Sequence, residues 1–531
     1  MEPKKHIVNI CKDVSNLVTK HNLTQRLYEQ CLFWTIPDRE KTHKGKGGFQ
    51  NDHIYDGTLY DAVEEQAGHL VALTVNPSTV WHAYETGDIK LDEDKEVYEF
   101  LQAYQKTVLN FLNNSNFLQV YEAGIIDQNI LGTCASSVAY SKEEKKLIFK
   151  NHDVQYLKYR RTQDGKLLVI SKTLSLSYAE IVNTYSEKDL PKKFIEDNKE
   201  QPDSEHEVEV YIREKTKEDE GNINGTFPWV SYHILTSHKH QLKVEGFKRQ
   251  PILLADYLPL SEEDFSRSPT YRKLADAKTL NSFVKSDIIG TQLTMAPPIQ
   301  VEDNSVVRKL SFRPHGITIV RKGSEIKPIV TGARVDIADA KIVRLQESIR
   351  NYGFHLDKFR LVEQDRMTAT EIIERKDERF RGVASRVFRI ERGLLTPLME
   401  AVSIELENNK LLPPLPEILK GKDINIRYTS TISKAQEAGE AQNLQRLMAT
   451  IGPLAEMNPQ IMDFIDGDAI VKGEAKRFNV VSSYIKSQEE VDKGRKVQAE
   501  NQQQVQGAEL NNQNAQTEKI QAETDAIDAG A

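Results

Sequence analysis

Two helical segments separated by a proline stop constrain this chain more than any other feature. Leu274, Ala277, Leu280, Val284, Ile288, Thr291 and Met295 step by three and four residues, the period of one helix face. Pro297-Pro298 ends that helix, because proline has no N–H to donate and its ring collides with the preceding turn. Further on, Ile342, Leu345, Ile349, Tyr352, Leu356 and Phe359 repeat at alternating steps of three and four. That spacing predicts a second helix with a narrow apolar seam, the kind that packs against another helix. Gly353 weakens it by about 1 kcal/mol relative to alanine, and Asp336 stands where an N-cap is expected. The two helices flank a small insert of short strands and turns at 299–335. Its cations are Arg308, Lys309, Arg313, Arg321, Lys322 and Lys327.

The rest of the chain is organised around this unit. Residues 1–130 read as mostly helical, with helices over Asn16–Tyr28, Tyr60–Leu73 and Val97–Leu112 and a basic, glycine-rich loop at Arg39–Gly48. From about 135 to 260 the period changes to two. Glu207 to Arg213 alternates strictly and predicts a half-buried strand; Lys166–Lys172 and Trp229–Leu235 are similar. One short helix is expected near Tyr178–Tyr185. Thr368-Ala369-Thr370-Glu371 has the spacing of a capping box and opens a long helix to about Asn408, with a kink expected at Pro397. Residues 434–486 are helical again. The segment 498–521 contains eight glutamines and cannot build a globular core, so it is a solvated helix or disordered.

Composition excludes several classes. No stretch approaches the roughly 18 apolar residues that span a bilayer, and Met1 to His6 leads into no apolar signal core. Cys11, Cys31 and Cys134 are too scattered for a disulfide framework or a thiolate metal site. The net charge of −8 rules out a basic nucleic-acid coat. At 28% charged residues and 39% hydrophobic, the chain keeps more polar surface than a compact enzyme and favours a solvent-lined shape.

No catalytic, cofactor-binding or metal-ligating set emerges. There is no phosphate loop of the G-x-x-x-x-G-K-[ST] kind and no dinucleotide fingerprint, and Gly45-Lys46-Gly47-Gly48 lacks the flanking strand and helix. His238 and His240 have no third ligand at a metal spacing. Asp466-Gly467-Asp468 reads as a turn. Asp92-Glu93-Asp94-Lys95-Glu96 reads as a solvated helix start. Ser136, Ser137 and His152 form no convincing nucleophile and base. Charge placement says more: Lys358, Arg360 and Arg366 lie between the seam helix and the capped helix and suit a phosphate-facing loop that does not read sequence.

The order of short signatures resembles the portal, or head-to-tail connector, proteins of short-tailed double-stranded DNA bacteriophages (podoviruses), from about residue 20 to 485. The residues that carry the resemblance are Ser115-Asn116-Phe117 with Gly132-Thr133, then Phe265 to Pro269 with Leu274 to Asn281. Pro297-Pro298 and Arg313-Pro314-His315-Gly316 follow. Met367 to Glu371 with Arg375 and Glu378 is the most recognisable piece, and Glu391, Leu394, Pro397, Leu398 and Leu411-Leu412-Pro413 continue it. Phe265-Ser266 and His315 depart from the family's usual turn residues.

The resemblance implies an α+β, portal-like fold, mainly helical. Its parts are a wing at 1–268 (helical first, then β-rich from about 135), a first stem helix at 269–296, a small α/β clip at 297–335 and a second stem helix at 336–357. A channel loop and kinked wing helix take 358–419, a helical crown 420–486 and a glutamine-rich barrel or tail 487–531. It implies a non-enzymatic dodecameric ring at one capsid vertex of the virion, assembled in the host cytoplasm. The ring nucleates head assembly, passes double-stranded DNA during packaging and ejection, and joins head to tail. Implied partners are other copies of the chain, terminase, a tail adaptor, and scaffold, capsid and internal core proteins, with no membrane and no cofactor. Subunit packing in the stem falls to Leu280, Val284, Ile288, Ile342, Leu345, Ile349, Tyr352 and Leu356, and docking of adaptor or terminase to the clip cations. Two other readings stand beside it. An ATPase or nuclease subunit of the packaging apparatus needs a phosphate loop or a carboxylate cluster. A helical scaffolding protein leaves the β-rich middle unexplained.

Overall fold

The computed structural model describes residues 5–39, 53–258 (apart from 78, 93, 217, 218 and 220–226), 264–295, 299–301, 326–328, 335–358, 381–429, 446–454, 465–477 and 490–498, with isolated positions at 444, 501, 503, 504, 514 and 517. The fold is α+β. Contacts divide the chain into two compact units.

The first unit, residues 1–81 with 108–411 and 430–432, holds, among its described residues, two larger antiparallel sheets and a two-stranded one. Strands β1 (Thr133–Ser141), β2 (Lys146–His152) and a later strand, Leu253–Asp256, form the three-stranded one. The larger is a meander of β3 (Leu157–Arg161), β4 (Leu167–Ser177), β5 (Glu205–Glu214), β6 (Trp229–Leu235) and β7 (His240–Phe247), each paired antiparallel with the next. The helix expected near Tyr178–Tyr185 is present over those residues. Ser177 caps it, accepting from the Glu180 N–H while Glu180 accepts from the Ser177 N–H.

Strand β5 differs from its expected half-buried state. Val208, Glu209, Val210, Tyr211 and Ile212 are all buried. Helix α1 (Lys5–Phe33) covers one face, where Ile7, Ile10 and Leu17 pack with Tyr211, Val230 and Tyr232. The other face joins the main core through Val210 and Ile212. Glu209 is tolerated inside because Lys158 and the hydroxyls of Ser171 and Thr173 donate to its carboxylate, with the Thr173 bond at 2.8 Å.

Helix α2 (Thr58–Thr74) and helix α3 (Phe117–Leu131) pack together against helix α4 (Pro269–Met295). Helix α5 (Val335–Glu347) runs antiparallel to α4: Lys273 meets Ser348, and Lys341 sits 5.5 Å over the Phe283 ring. Between these helices Ile299–Val301 pairs antiparallel with Ile326–Pro328. The helix starts at Val335, so Asp336 lies in its first turn instead of capping it.

The seam helix is shorter than its spacing predicts. Regular α geometry stops at Glu347, a π turn takes Ser348–Gly353, and Leu356–Lys358 is a 3₁₀ turn. A π turn holds more residues than 3.6 and shifts the phase, so the repeat ceases to mark one face. Tyr352 is 78% exposed, while Phe354, which the repeat skips, is fully buried.

The last helix of this unit runs from 381 to Asn408, with a π turn at Glu391–Leu395 directly before Pro397. The expected kink is therefore a wide turn. The capping-box residues Thr368–Glu371 lie outside the described residues.

The second unit, residues 82–107 with 412–429 and 433–531, pairs strand His82–Glu85 antiparallel with Asn425–Tyr428. The Tyr84 and Tyr104 rings meet edge-on at 4.6 Å. The acidic run before Lys95 has two roles. Asp94 accepts from the Glu96 and Val97 N–H groups as an N-cap. Asp92 is buried and accepts from the Thr86 N–H and hydroxyl. No helix among the described residues is long and apolar enough to cross a membrane.

Candidate functional site

The candidate site is the junction where α4 and the π turn at Ser348–Gly353 meet α2, and Lys358 links it to the helix described from 381. Of the phosphate-facing trio, Lys358 ends the 3₁₀ turn Leu356–Lys358 and pairs with Asp357 at 3.3 Å. Arg360 and Arg366 lie outside the described residues, as do Arg308, Lys309, Arg313, Arg321 and Lys322. Lys327 stands on a strand opposite Gln300.

The stem residues divide by burial. Leu280, Ile349 and Leu356 are enclosed in their own chain's core with Leu59, Ala62, Val63 and Ala277. Val284, Ile342 and Leu345 pack partly buried on that core. Ile288, 40% exposed, and Tyr352 remain on the surface, joined by Ile289, Val343 and Met295, which the seam does not include. The three enclosed side chains, Leu280, Ile349 and Leu356, are buried within their own chain.

Polar clamps hold the π turn. Lys273 donates to Asp276 Oδ2 and Ser348 Oγ, both at 2.9 Å, and Ser348 Oγ donates to Asp276 Oδ2 at 3.2 Å. Gln346 donates to Asp56 Oδ2 at 2.9 Å, Arg350 pairs with Glu65, and Gln66 donates to the Phe354 carbonyl. Asn281 grips both sides of the loop end, accepting from the Tyr55 N–H at 2.6 Å and donating to the His53 carbonyl at 2.9 Å. Gly353 has to be small, since a Cβ there would come within 2.7 Å of Lys273 Cγ. The basic loop after Arg39 lies outside the described residues from 40 to 52, but Arg39 itself is anchored to Asp127 at 2.6 Å. Burial raises the Asp127 carboxyl pKa, against the opposing pull of Arg39.

The helix from 381 meets this junction at Gly382, where a Cβ would lie 3.5 Å from the Lys358 side chain. Arg386 on the same helix is buried. It donates to Gln128 Oε1 at 2.8 Å and lies 3.9 Å over the Tyr257 ring. Burial lowers its pKa to about 10, so it stays charged at neutral pH. Arg381, Arg386 and Arg389 recur within nine residues of one helix, and nothing in that local spacing separates a buried arginine from an exposed one.

The nucleophile-like residues do meet. His152 Nε2 lies 2.8 Å from Ser137 Oγ, and Lys172 Nζ lies 2.9 Å from His152 Nδ1. Lys172 can only donate, so Nδ1 accepts and Nε2–H donates to the serine. That is the reverse of what a general base on Ser137 requires. Burial and then Lys172 and Lys150 lower the His152 pKa to about 3, too low for base work near neutral pH. Ser136 donates to Asn151 Oδ1 instead. His240 meets the Asp189 carbonyl, and His238 packs edge-on against Phe194. Among the described residues these groups assemble no reaction centre, and the junction is held by hydrogen bonds and ion pairs around a buried apolar core.

Comparison with known proteins agrees with that character. The sequence pattern described as "Bacteriophage head to tail connecting protein" matches residues 10–485. The chain is 23% identical over 492 residues to a "Probable portal protein" of Bordetella phage BPP-1, covering 89% of this chain and 87% of that one. It is 24% identical over 299 residues to a "Portal protein" of Salmonella phage epsilon15, covering 55% of this chain and 53% of that one.

Proposed function

We infer the role of this chain from one premise: it belongs to the bacteriophage head to tail connecting protein family. It is a portal protein, a component of the phage particle at the junction of head and tail. The match across 10–485, in the order of the whole chain, is the observation that carries this reading.

The finer account follows as the proposal. Twelve copies form a ring at one capsid vertex, assembled in the host cytoplasm with scaffold, capsid and internal core proteins. Double-stranded DNA passes through its channel during packaging and ejection. Residues 1–268 make the wing, 269–296 and 336–357 the stem, 297–335 the clip, 358–419 the channel loop and wing helix, 420–486 the crown and 487–531 the tail. The clip cations Arg308, Lys309, Arg313, Arg321, Lys322 and Lys327 dock terminase and then the tail adaptor. Lys358, Arg360 and Arg366 face phosphate. Exposed apolar groups on the stem support lateral packing through Ile288, Ile289, Val343 and Tyr352. At −8 per chain, the ring is broadly acidic and repels DNA except where cations touch it.

Mass photometry of the purified full chain, with negative-stain images of the same sample, tests the ring. The expected species is twelve times 60.5 kDa, about 726 kDa, with a central hole. A monomer that persists when scaffold protein is supplied overturns it.

A further inference from the structure

The arginines of the helix from 381 are held differently from several others in the chain. Arg39, Arg160, Arg213 and Arg350 each sit on a carboxylate. Arg381, Arg386, Arg389 and Arg392 have no carboxylate within ion-pair distance among the described residues. Aromatic rings and amides hold three of them. Arg386 lies 3.9 Å and Arg389 5.7 Å over Tyr257, Arg386 also bonds Gln128, and Arg392 lies 5.5 Å over the Phe388 ring. A ring or an amide fixes a guanidinium without cancelling its charge. Among the described residues, these four arginines therefore keep their charge without a paired carboxylate, in a chain that is acidic as a whole.

That charge reaches the surface on one face. Arg381, Ser385 and Phe388 are exposed at steps of four and three, one face of the α-helical part, and the exposed Arg392 follows in the π turn, its guanidinium over the Phe388 ring. From Arg381 to Arg392 this stripe extends about 16 Å at 1.5 Å per residue. Phe388, 57% exposed, serves as the support beneath Arg392. Gly393 lies exposed beside Arg392, where nothing stands within 4 Å of a would-be Cβ, so a bulky ligand can approach the helix backbone there. At the other end the Lys358 side chain, paired with Asp357, packs along Gly382.

We propose that this stripe is a phosphate-contact surface for double-stranded DNA, with Arg381 and Arg392 touching the backbone and no base being read. The proposal rests on the portal reading and deepens it. Cations spaced along a rigid helix suit a polymer that slides, since phosphate contacts are the same at every sequence.

The experiment uses the assembled full chain and a short fluorescein-labelled duplex, with binding followed by anisotropy across a salt series. Each phosphate contact contributes about 0.9 to the slope of log affinity against log salt. The double variant Arg381→Gln/Arg392→Gln should form normal rings and lower that slope by about 1.8 for each subunit whose pair touches the duplex, hence by about 2 or more. The effect should be the same on duplexes of unrelated sequence. The charge-keeping pair Arg381→Lys/Arg392→Lys should retain the wild-type slope. Rings of the Gln variant with an unchanged slope overturn the proposal. So does a folded Gln variant that no longer assembles, which would make the stripe a contact between copies. Failure of the wild-type chain to form rings overturns the portal reading first and this one with it.

Discussion

The backbone N–H and the side-chain hydroxyl of Thr396 both donate to the carbonyl oxygen of Glu391, five residues earlier. A regular helix would place that acceptor four residues back. Pro397 explains the difference. It has no N–H for the Gly393 carbonyl and its ring needs that space, so the chain widens by one residue before it. Thr396→Val keeps the shape and removes the hydroxyl. Chemical denaturation should show a loss of about 0.5–1.5 kcal/mol; an unchanged midpoint would mean that the backbone bond alone holds the turn.

Gly132 joins α3 to β1 with φ of +85°, and a Cβ there would lie 2.3 Å from the Ser266 carbonyl oxygen. A left-handed residue other than glycine costs about 1–2 kcal/mol before any collision. The obstructing atom is backbone, on the strand of chain that leads into α4, and cannot rotate away. Gly132→Ala should therefore abolish soluble expression or lower the melting temperature by many degrees. A variant that melts like the wild type would show that the approach relaxes easily.

Gly132 also marks how far the sequence can be read. Its pairing with Thr133 was recognisable as a signature, but its cause, a close approach by Ser266, lies 134 residues away and leaves no local trace. Helices such as Pro269–Met295 and the capped Tyr178–Tyr185 were legible because their period or their stop is local. The π turns were not, because inserting part of a turn breaks the repeat used to find a helix. Strand β5 misled for a related reason: its acids alternate as on a solvated face, yet Glu209 is buried by partners that come from other strands. At the junction, Lys358 stood out as an isolated cation in a connecting segment, whereas Arg381 and Arg392 were hidden among the ordinary polar residues of a helix.

His152 gives a pH dependence of known sign. Its folded pKa of about 3 lies below the ordinary 6.5. Above pH 6.5 both folded and unfolded chains carry it neutral, and its contribution to stability is complete. As the pH falls from 6.5 toward 3 the unfolded chain takes up the proton first, so stability is lost through that window. His82, also lowered to about 3 by burial, adds in the same direction. Melting temperatures recorded between pH 7 and 5 should fall less steeply for His152→Gln than for the wild type. Parallel curves would mean that His152 titrates alike in both states.

Core and surface on the π turn Ser348–Gly353 are separated by only three residues, which permits a clean contrast. Ile349 is fully buried against Leu280 and Phe354, and Tyr352 is almost fully exposed one turn further on. An aspartate at 349 would strand a charge in an apolar interior, at a cost of several kcal/mol. Ile349→Asp should fail to fold, giving insoluble protein or a lost cooperative melt. Tyr352→Asp should leave the circular dichroism spectrum and the melt of the monomer intact and reduce the fraction of rings in mass photometry. The two variants thus distinguish a residue that builds the subunit from one that joins it to its neighbour. Equal ring formation by Tyr352→Asp and wild type would remove Tyr352 from the interface, while a folded, ring-forming Ile349→Asp would show that this part of the core opens to water.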